Sequence, residues 1–251
     1  MLNHPTSRRA VLGGALASTA AMTLAGPSRA KDAAVDQHIV LLGDSIFDNG
    51  AYVGKGPDVV TQLRQLLPAG GRATLEAIDG SITDGVRLQL QLVPEDATHL
   101  VVSAGGNDAL HHSAVMEEKA RSVNEALGKL AAVREKFTAD YITMLDAVAA
   151  RGLPAAVCTI YDARFPDKTK RRLASVGLTI FNDCITREAA ARGIALIDLR
   201  VICCEPEDLA NPIEPSVLGG AKIARAITAF AAAYDRTRGR SEVFAKADGA
   251  I

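Results

Sequence analysis

Residues 38–50 read HIVLLGDSIFDNG, and they combine an apolar run with a polar segment that contains a serine. Four apolar residues follow His38 without a polar interruption, and the run ends at Gly43. A continuous apolar run that is closed by a glycine is typical of a parallel strand buried on both faces of its sheet. The sequence therefore predicts a strand that delivers the next residues, Asp44 and Ser45, to one edge of a sheet.

The rest of the chain alternates strands with helices. Predicted strands two to five lie at 73–78, 99–103, 155–160 and 194–199. Predicted helices lie at 57–67, 84–92, 117–150, 168–191 and 217–234. This alternation indicates an α/β protein with one five-stranded parallel sheet that helices cover on both faces. The sheet belongs to a single domain at about 36–234, and no structure is predicted for the polar tail at 235–251.

Composition narrows the classes of function. Of 251 residues, 48% are apolar and 23% charged, and the formal net charge is −1. These values are typical of a globular domain, and such a balance provides no basic surface for a nucleic-acid backbone. Aromatic residues make up only 4% and tryptophan is absent, which argues against a platform that stacks bases. No nucleic-acid partner is therefore expected.

The first 30 residues differ in composition from the rest of the chain, since they contain three arginines and no acidic residue. Arg8 and Arg9 precede a mildly apolar run from Ala10 to Gly26, and Ser28 and Ala30 are small residues at the positions that a signal peptidase reads. This pattern resembles a twin-arginine export signal at 1–30. It predicts a protein that the export machinery moves to the periplasm or the exterior. A general secretory signal and an uncleaved anchor are the alternatives.

Polar segments follow the first three predicted strands. They are Gly43-Asp44-Ser45-Ile46, Asp79-Gly80-Ser81 and Gly105-Gly106-Asn107-Asp108. Ligands of open parallel sheets bind beyond the carboxyl ends of the strands, where the strand order reverses. With the order 2-1-3-4-5, that point lies between strands one and three. A serine there can act as a nucleophile, while backbone N–H groups and the Asn107 amide stabilise an oxyanion.

Taken in order, these segments resemble the motif blocks of the SGNH, or GDSL-type, hydrolases. The resemblance covers about residues 37–230 and implies a flavodoxin-like three-layer α/β/α sandwich. It also implies hydrolysis of a small ester or acylated substrate without a metal or organic cofactor. By this resemblance Ser45 is the nucleophile, and the Gly80 N–H and the Asn107 side chain hold the oxyanion. Asp44 is expected to bond to local backbone.

The block near the C-terminus, the fifth of the family, departs from the family pattern. Where the family carries Asp-x-x-His-Pro, residues 211–215 read NPIEP, so that Glu214 stands at the histidine position and Asn211 at the aspartate position. Glutamate is a weaker base than histidine by about 2.2 pKa units, although burial raises its pKa. An asparagine can donate a hydrogen bond to a carboxylate, so Asn211 is expected to orient Glu214.

Other assignments remain open at this point. His111 and His112 follow Asn107 closely and are alternative bases, and a site without an efficient base is a third option. The corresponding functions are a serine ester hydrolase, a binding protein that has lost turnover, and an acyltransferase that uses the same pocket.

Overall fold

A computed structural model describes residues 37–245 of the chain. The predicted signal at 1–30 and the last part of the predicted tail lie outside the described residues. The strands are β1 His38–Gly43, β2 Arg72–Leu75, β3 His99–Ser103, β4 Ala155–Cys158, β5 Ala195–Ile197 and β6 Val243–Phe244. The α-helices are α1 Val59–Leu66, α2 Val86–Gln89, α3 Gly106–His111, α4 Val123–Ala150, α5 Lys168–Ala191, α6 Leu199–Ile202 and α7 Val217–Ala233. None of the helices described is long and apolar enough to cross a bilayer.

The strands form one sheet with the order β2-β1-β3-β4-β5-β6, and every neighbouring pair is parallel. The predicted order of the first five strands is therefore confirmed, and the order reverses between β1 and β3. The predicted number of strands is wrong by one, because β6 lies within the stretch assigned to the polar tail. Its pairing uses backbone groups, with the Leu196 N–H donating to the Glu242 carbonyl at 2.8 Å. Phe244 adds an edge-to-face contact with Phe230.

The two faces of the sheet carry separate cores, as the continuous apolar runs predict. Ile39 and Leu41 of β1 pack with α1 and α7 on one face. Val40 and Leu42 pack with α4 and α5 on the other. Successive side chains of a strand point to opposite faces, so a strand buried on both must be apolar throughout. Each of these side chains contributes about 1.5–3 kcal/mol through burial. The three-layer α/β/α sandwich is thereby confirmed.

Several element boundaries differ from the predictions for local reasons. The helix predicted at 117–150 begins only at Val123, because the Ser122 side chain caps it by accepting a hydrogen bond from the Glu125 N–H. The helix predicted at 84–92 is α2 with a 3₁₀ turn on each side. Helix α3 was not predicted, since its sequence resembles a turn.

Gly43 forms the turn that connects β1 to Ser45. Its φ of +118° favours glycine, and a Cβ at this position would lie 1.7 Å from the Ser103 carbonyl oxygen of β3. The side-chain amide of Gln89 accepts from the Gly43 N–H at 2.6 Å and donates to its carbonyl at 2.8 Å. The turn is therefore fixed by the absence of a side chain and by a buried glutamine.

We expect Gly43→Ala to lower the free energy of unfolding by at least about 3 kcal/mol, because the added methyl group overlaps β3 and the backbone conformation is strained. Gly128→Ala is the matched control, since Gly128 lies within α4 with open space around its Cα. That variant should be stabilised by about 0.5–1 kcal/mol. Urea unfolding of both variants measures the difference, and a loss below about 1 kcal/mol for Gly43→Ala contradicts the packing described.

Candidate active site

Ser45 lies at the switch point of the sheet, directly after the Gly43 turn. The Phe47 and Asp48 N–H groups both donate to the Asp44 carbonyl at 3.1 Å, which starts a helical turn just behind the serine. Ser45 is 6% exposed. Its own N–H donates to no atom among residues 37–245, so this donor is free to bind an oxyanion.

Asp44 is buried directly beside Ser45 in the sequence. Its carboxyl group accepts a hydrogen bond from the Ile46 N–H at 3.1 Å, as expected for a residue that shapes the turn. Burial raises the pKa of Asp44 to about 7, although the hydrogen bonds from Ile46 and the Ser103 hydroxyl act in the opposite direction. The nearby charges of Glu214 and Asp108 raise this pKa further.

The loops after β2 and β3 bring Gly80 and Asn107 together. The Ser81 N–H donates to the Ile78 carbonyl at 3.0 Å, and Gly80 has a φ of +79° at the third position of this turn. In the part of the chain that the structure describes, the Gly80 N–H has no acceptor. Asn107 donates one amide hydrogen to the Ser81 carbonyl at 2.9 Å, which fixes the orientation of its side chain. Its second amide hydrogen has no acceptor between residues 37 and 245 and is therefore free for a ligand.

Glu214 is held in a tight loop before α7. The Ala210 N–H donates to the Glu214 carbonyl at 2.9 Å, and an antiparallel bridge joins Leu209 to Pro215. The side chain is 5% exposed, and its Oε2 is buried without a hydrogen-bond partner among the described residues. Burial raises the pKa of Glu214, and the charge of Asp79 adds to this effect.

The Ser45 side chain lies close enough to the Glu214 carboxyl group to lower the pKa of Glu214, which partly offsets the effect of burial. No hydrogen bond of ordinary geometry joins the two groups in the described residues. Long or poorly aligned contacts are common between catalytic groups in the absence of substrate. The arrangement is that of a serine hydroxyl facing a buried carboxyl group.

Asn211 does not act as the sequence predicts. Its side-chain oxygen accepts hydrogen bonds from the Ile213 and Glu214 N–H groups, each at 2.9 Å. The amide is thus used to close a turn of the backbone, and no donation to the Glu214 carboxylate is found among residues 37–245. Asn211 supports the site by shaping the loop that carries Glu214, because an asparagine side chain readily caps its own following backbone.

His111 and His112 are not brought to Ser45. They line a groove of about 370 Å³ with Glu118 and Lys129. Helix α3 ends at His111 and leads the chain away from Asn107, so the two histidines face α4. The structure therefore gives neither histidine a contact that suits a base for Ser45.

Two residues outside the predicted site fix the Glu214 loop from opposite sides. Asn49 is fully buried, donates to the Pro215 carbonyl at 3.1 Å and accepts from the Val59 N–H at 3.0 Å. The Tyr161 hydroxyl donates to the Ile213 carbonyl at 2.7 Å. Tyr161 follows β4, so its position at the carboxyl end of a strand is the only signal for it in the sequence.

A metal site is not apparent in the described part of the chain. Between residues 37 and 245, no group of three or more histidine, cysteine, aspartate or glutamate side chains is arranged to hold an ion.

The model of the GDSL-like lipase/acylhydrolase family matches residues 41–221, a range that includes Ser45, Gly80, Asn107 and Glu214. No protein with a curated description matches the sequence.

Solved structures share the fold at low sequence identity. An extracellular lipase from Streptomyces rimosus superposes with a TM-score of 0.58 at 18% identity, over 74% of this chain and 95% of the lipase. A member of the lipolytic G-D-S-L family from Veillonella parvula has a TM-score of 0.57 at 15% identity, over 78% of this chain and 98% of that one. Phospholipase A1 from Streptomyces albidoflavus has a TM-score of 0.53 at 16% identity, over 74% and 95%.

The family model spans most of the chain and includes each of the strand-end segments that carry the site. The resemblance found in the sequence is therefore confirmed. The chain belongs to the GDSL-like lipase/acylhydrolase family and is a hydrolase that acts on ester bonds.

Proposed function

We propose that this protein cleaves carboxylic esters through an acyl-enzyme, with Ser45 as the nucleophile and Glu214 as the general base. The observation that carries the proposal is the buried Glu214 carboxyl group, which faces the Ser45 hydroxyl at the switch point of the sheet. The substrate is a small ester or an acylated molecule that reaches this crevice.

The first half of the reaction transfers the acyl group to the enzyme. Ser45 Oγ attacks the carbonyl carbon while its proton moves to the Glu214 carboxylate, and the carbonyl oxygen becomes an oxyanion. The N–H groups of Ser45 and Gly80 and the Asn107 amide donate to that oxyanion. The bond to the leaving oxygen then breaks, and Glu214 returns the proton to it, which releases the alcohol.

Water completes the cycle in the second half. A water molecule attacks the acyl carbon, and its proton moves to Glu214 while the same donors hold the second oxyanion. The ester bond to Ser45 then breaks, the proton returns to Oγ, and the carboxylic acid leaves.

The raised pKa of Glu214 is what makes a carboxylate suitable for this role. A general base works best when its pKa lies close to the working pH, and a solvated glutamate falls well short of that. Burial and the charge of Asp79 both raise the pKa of Glu214, so the site recovers part of the basicity that a histidine would supply.

We expect Ser45→Ala to lower kcat on p-nitrophenyl acetate by at least about 1,000-fold, because the nucleophile is lost. Glu214→Gln should lower it by about 100- to 10,000-fold, because the isosteric amide cannot take a proton. His112→Ala is the control and should stay within about two-fold of the parent. Steady-state kinetics of the purified full chain measures all three.

Two results would contradict the proposed mechanism. One is retention of full activity by Ser45→Ala or Glu214→Gln. The other is tight binding of an ester by the folded parent without any product, which favours a binding protein. Acyl transfer to an added sugar, in place of hydrolysis, identifies an acyltransferase on the same pocket.

The oxyanion donors lead to a separate prediction. Asn107→Ala should lower kcat by about 100- to 1,000-fold with little change in KM, because the amide donates mainly to the charge that develops in the transition state. Asn124→Ala on the exposed face of α4 is the matched control. An Asn107→Ala variant that keeps its melting temperature and its kcat would remove Asn107 from the oxyanion site.

We also propose that residues 1–30 direct export of the protein by the twin-arginine route. The paired Arg8 and Arg9 before an apolar run support this, and the similar Streptomyces rimosus lipase is described as extracellular. Replacing both arginines with lysine should retain the protein in the cytoplasm of a bacterial host, whereas Arg29→Lys should not. Cell fractionation with intact-mass measurement tests this, and unchanged export of the double variant refutes it.

A further inference from the structure

Helices α4 and α5 extend beyond the sheet at the edge that carries Ser45. Each leads from the carboxyl end of one parallel strand to the amino end of the next, so each begins at that edge. With 28 and 24 residues they are about 42 and 36 Å long, whereas β3 has five residues and spans about 17 Å. No residue at 123–132 of α4 or at 168–179 of α5 belongs to either core. The first halves of both helices therefore project past the strands.

Two contacts show how α4 and α5 are aligned. Arg134 of α4 pairs with Asp183 of α5 at 3.3 Å. One turn further along, Thr138 Oγ1 lies 2.9 Å from Cys184 Sγ. The two helices therefore run in the same direction with these positions level and facing each other.

The same alignment places exposed apolar residues side by side on the projecting halves. Residues seven or eleven positions apart on a helix lie on nearly the same face. Seven residues before 134 and 183 stand Leu127 and Val176, and eleven before 138 and 184 stand Leu127 and Leu173. Val123 lies one turn before Leu127. We call these four residues the apolar face.

The apolar face is open to solvent. The exposed fractions are 77% for Val123, 59% for Leu127, 44% for Leu173 and 62% for Val176. Apolar residues that are exposed singly are ordinary, but a group of them on neighbouring helices is typical of a surface that binds a partner.

Unpaired cations flank the apolar face at the start of α5. They are Lys168, Lys170, Arg171 and Arg172, and none of them forms an ion pair with a carboxylate among residues 37–245. A helix N-terminus favours acidic residues, and the first turn of α5 contains none. The stability of the helix itself therefore does not explain this charge.

The start of α4 does not neutralise these cations. Its two nearest acids are already paired, Glu118 with Lys129 at 2.6 Å and Glu125 with Arg121 at 3.2 Å. The charge stands out because the whole chain has a formal net charge of only −1.

We propose that the apolar face and the cations at the start of α5 form a docking site for an anionic lipid surface. The leucine and valine side chains enter the boundary between headgroups and acyl chains, while the lysines and arginines bind the lipid phosphates. Because both helices begin at the edge that carries Ser45, docking turns the crevice toward the lipid. The inference does not depend on which residue is the general base.

The combination of groups favours a lipid surface over other partners. A second copy of this chain, docked symmetrically through the same face, brings the unpaired cations of both copies together. A soluble polyanion binds the cations but leaves the four apolar side chains in water. An anionic lipid surface matches both parts of the site.

Sedimentation of the purified full chain with vesicles tests the proposal. We expect the protein to bind vesicles that contain phosphatidylglycerol at least about ten-fold more tightly than vesicles of phosphatidylcholine alone. Added salt should weaken this binding, because part of it is electrostatic. Failure to bind phosphatidylglycerol vesicles overturns the proposal.

Two double variants separate the apolar and the charged contributions. Leu127→Gln/Val176→Gln should bind these vesicles at least about ten-fold more weakly, because the apolar contact is lost while a good helix former is introduced. Lys168→Gln/Arg172→Gln should bind about 25-fold more weakly, since each cation near such a surface contributes about five-fold. All variants retain residues 1–30, so any contribution of that segment is the same in each.

Leu66→Gln/Arg151→Gln is the matched control. It changes one exposed apolar residue and one exposed cation at the ends of α1 and α4, at the opposite edge of the sheet. Its vesicle binding should equal that of the parent. All three double variants should keep the parent's melting temperature and its kcat on soluble p-nitrophenyl acetate, because the docking site is separate from Ser45.

The other occupants give different results, and each overturns the proposal. Vesicle binding that is lost only in Lys168→Gln/Arg172→Gln indicates a site for polyanions. A dimer that light scattering detects in the parent and not in Leu127→Gln/Val176→Gln, without vesicle binding, indicates a second copy of the chain. Vesicle binding that neither variant weakens indicates attachment through another part of the molecule.

Discussion

The close approach of the β1 and β3 backbones at Gly43 is the constraint on which the site depends. Because no side chain separates Gly43 from the Ser103 carbonyl, the Asp44 N–H reaches that oxygen at 3.1 Å and the chain turns sharply away from the strand. Asp44 is thereby buried and Ser45 is presented at the reversal of the strand order. The loops after β2 and β3 end at this edge too, so Gly80 and Asn107 lie at the same edge of the sheet as Ser45.

Burial of the Asp44 and Glu214 carboxyl groups makes the stability of the fold depend on pH. The pKa of Asp44 is about 7 in the folded protein and close to 3.8 in an unfolded chain. The folded state therefore keeps a proton that the unfolded chain releases between about pH 4 and 7. Stability from this group declines as the pH rises through that window and is constant above it. Glu214, whose pKa is also raised, adds to the same trend, so the burial that raises the basicity of these two carboxyl groups destabilises the fold as the pH rises.

Much of this architecture could be predicted from the sequence because buried parallel strands have a simple pattern. The apolar run before Gly43 and the alternation of strands with helices were enough to predict a parallel sheet. The polar segments after three strands then predicted the edge that carries Ser45, Gly80 and Asn107, once the strand order 2-1-3-4-5 was assumed. Strand β6 was missed because two residues that pair through backbone groups have no periodicity. The role of Asn211 was missed because the position of an asparagine in the sequence does not indicate which neighbouring group its side chain binds. Its oxygen accepts from two backbone N–H groups of the same loop. Asn49 and Tyr161 were missed because their side chains donate hydrogen bonds to backbone carbonyl groups. Every residue has such a carbonyl, so the sequence does not indicate which one is bound.

Strand β6 has a consequence for how the molecule behaves at high concentration. Without it, β5 would be the last strand, and the Leu196 and Asp198 N–H groups that now bond to the Glu242 and Phe244 carbonyls would be open to other chains. Strand β6 covers this edge of β5. Because β6 is only two residues long, it presents few unpaired backbone groups to which another chain could bind. A chain cut before Glu242 would keep every residue of the crevice and would expose a strand edge prone to aggregation. Solubility and catalysis are thus encoded at separate places along the chain.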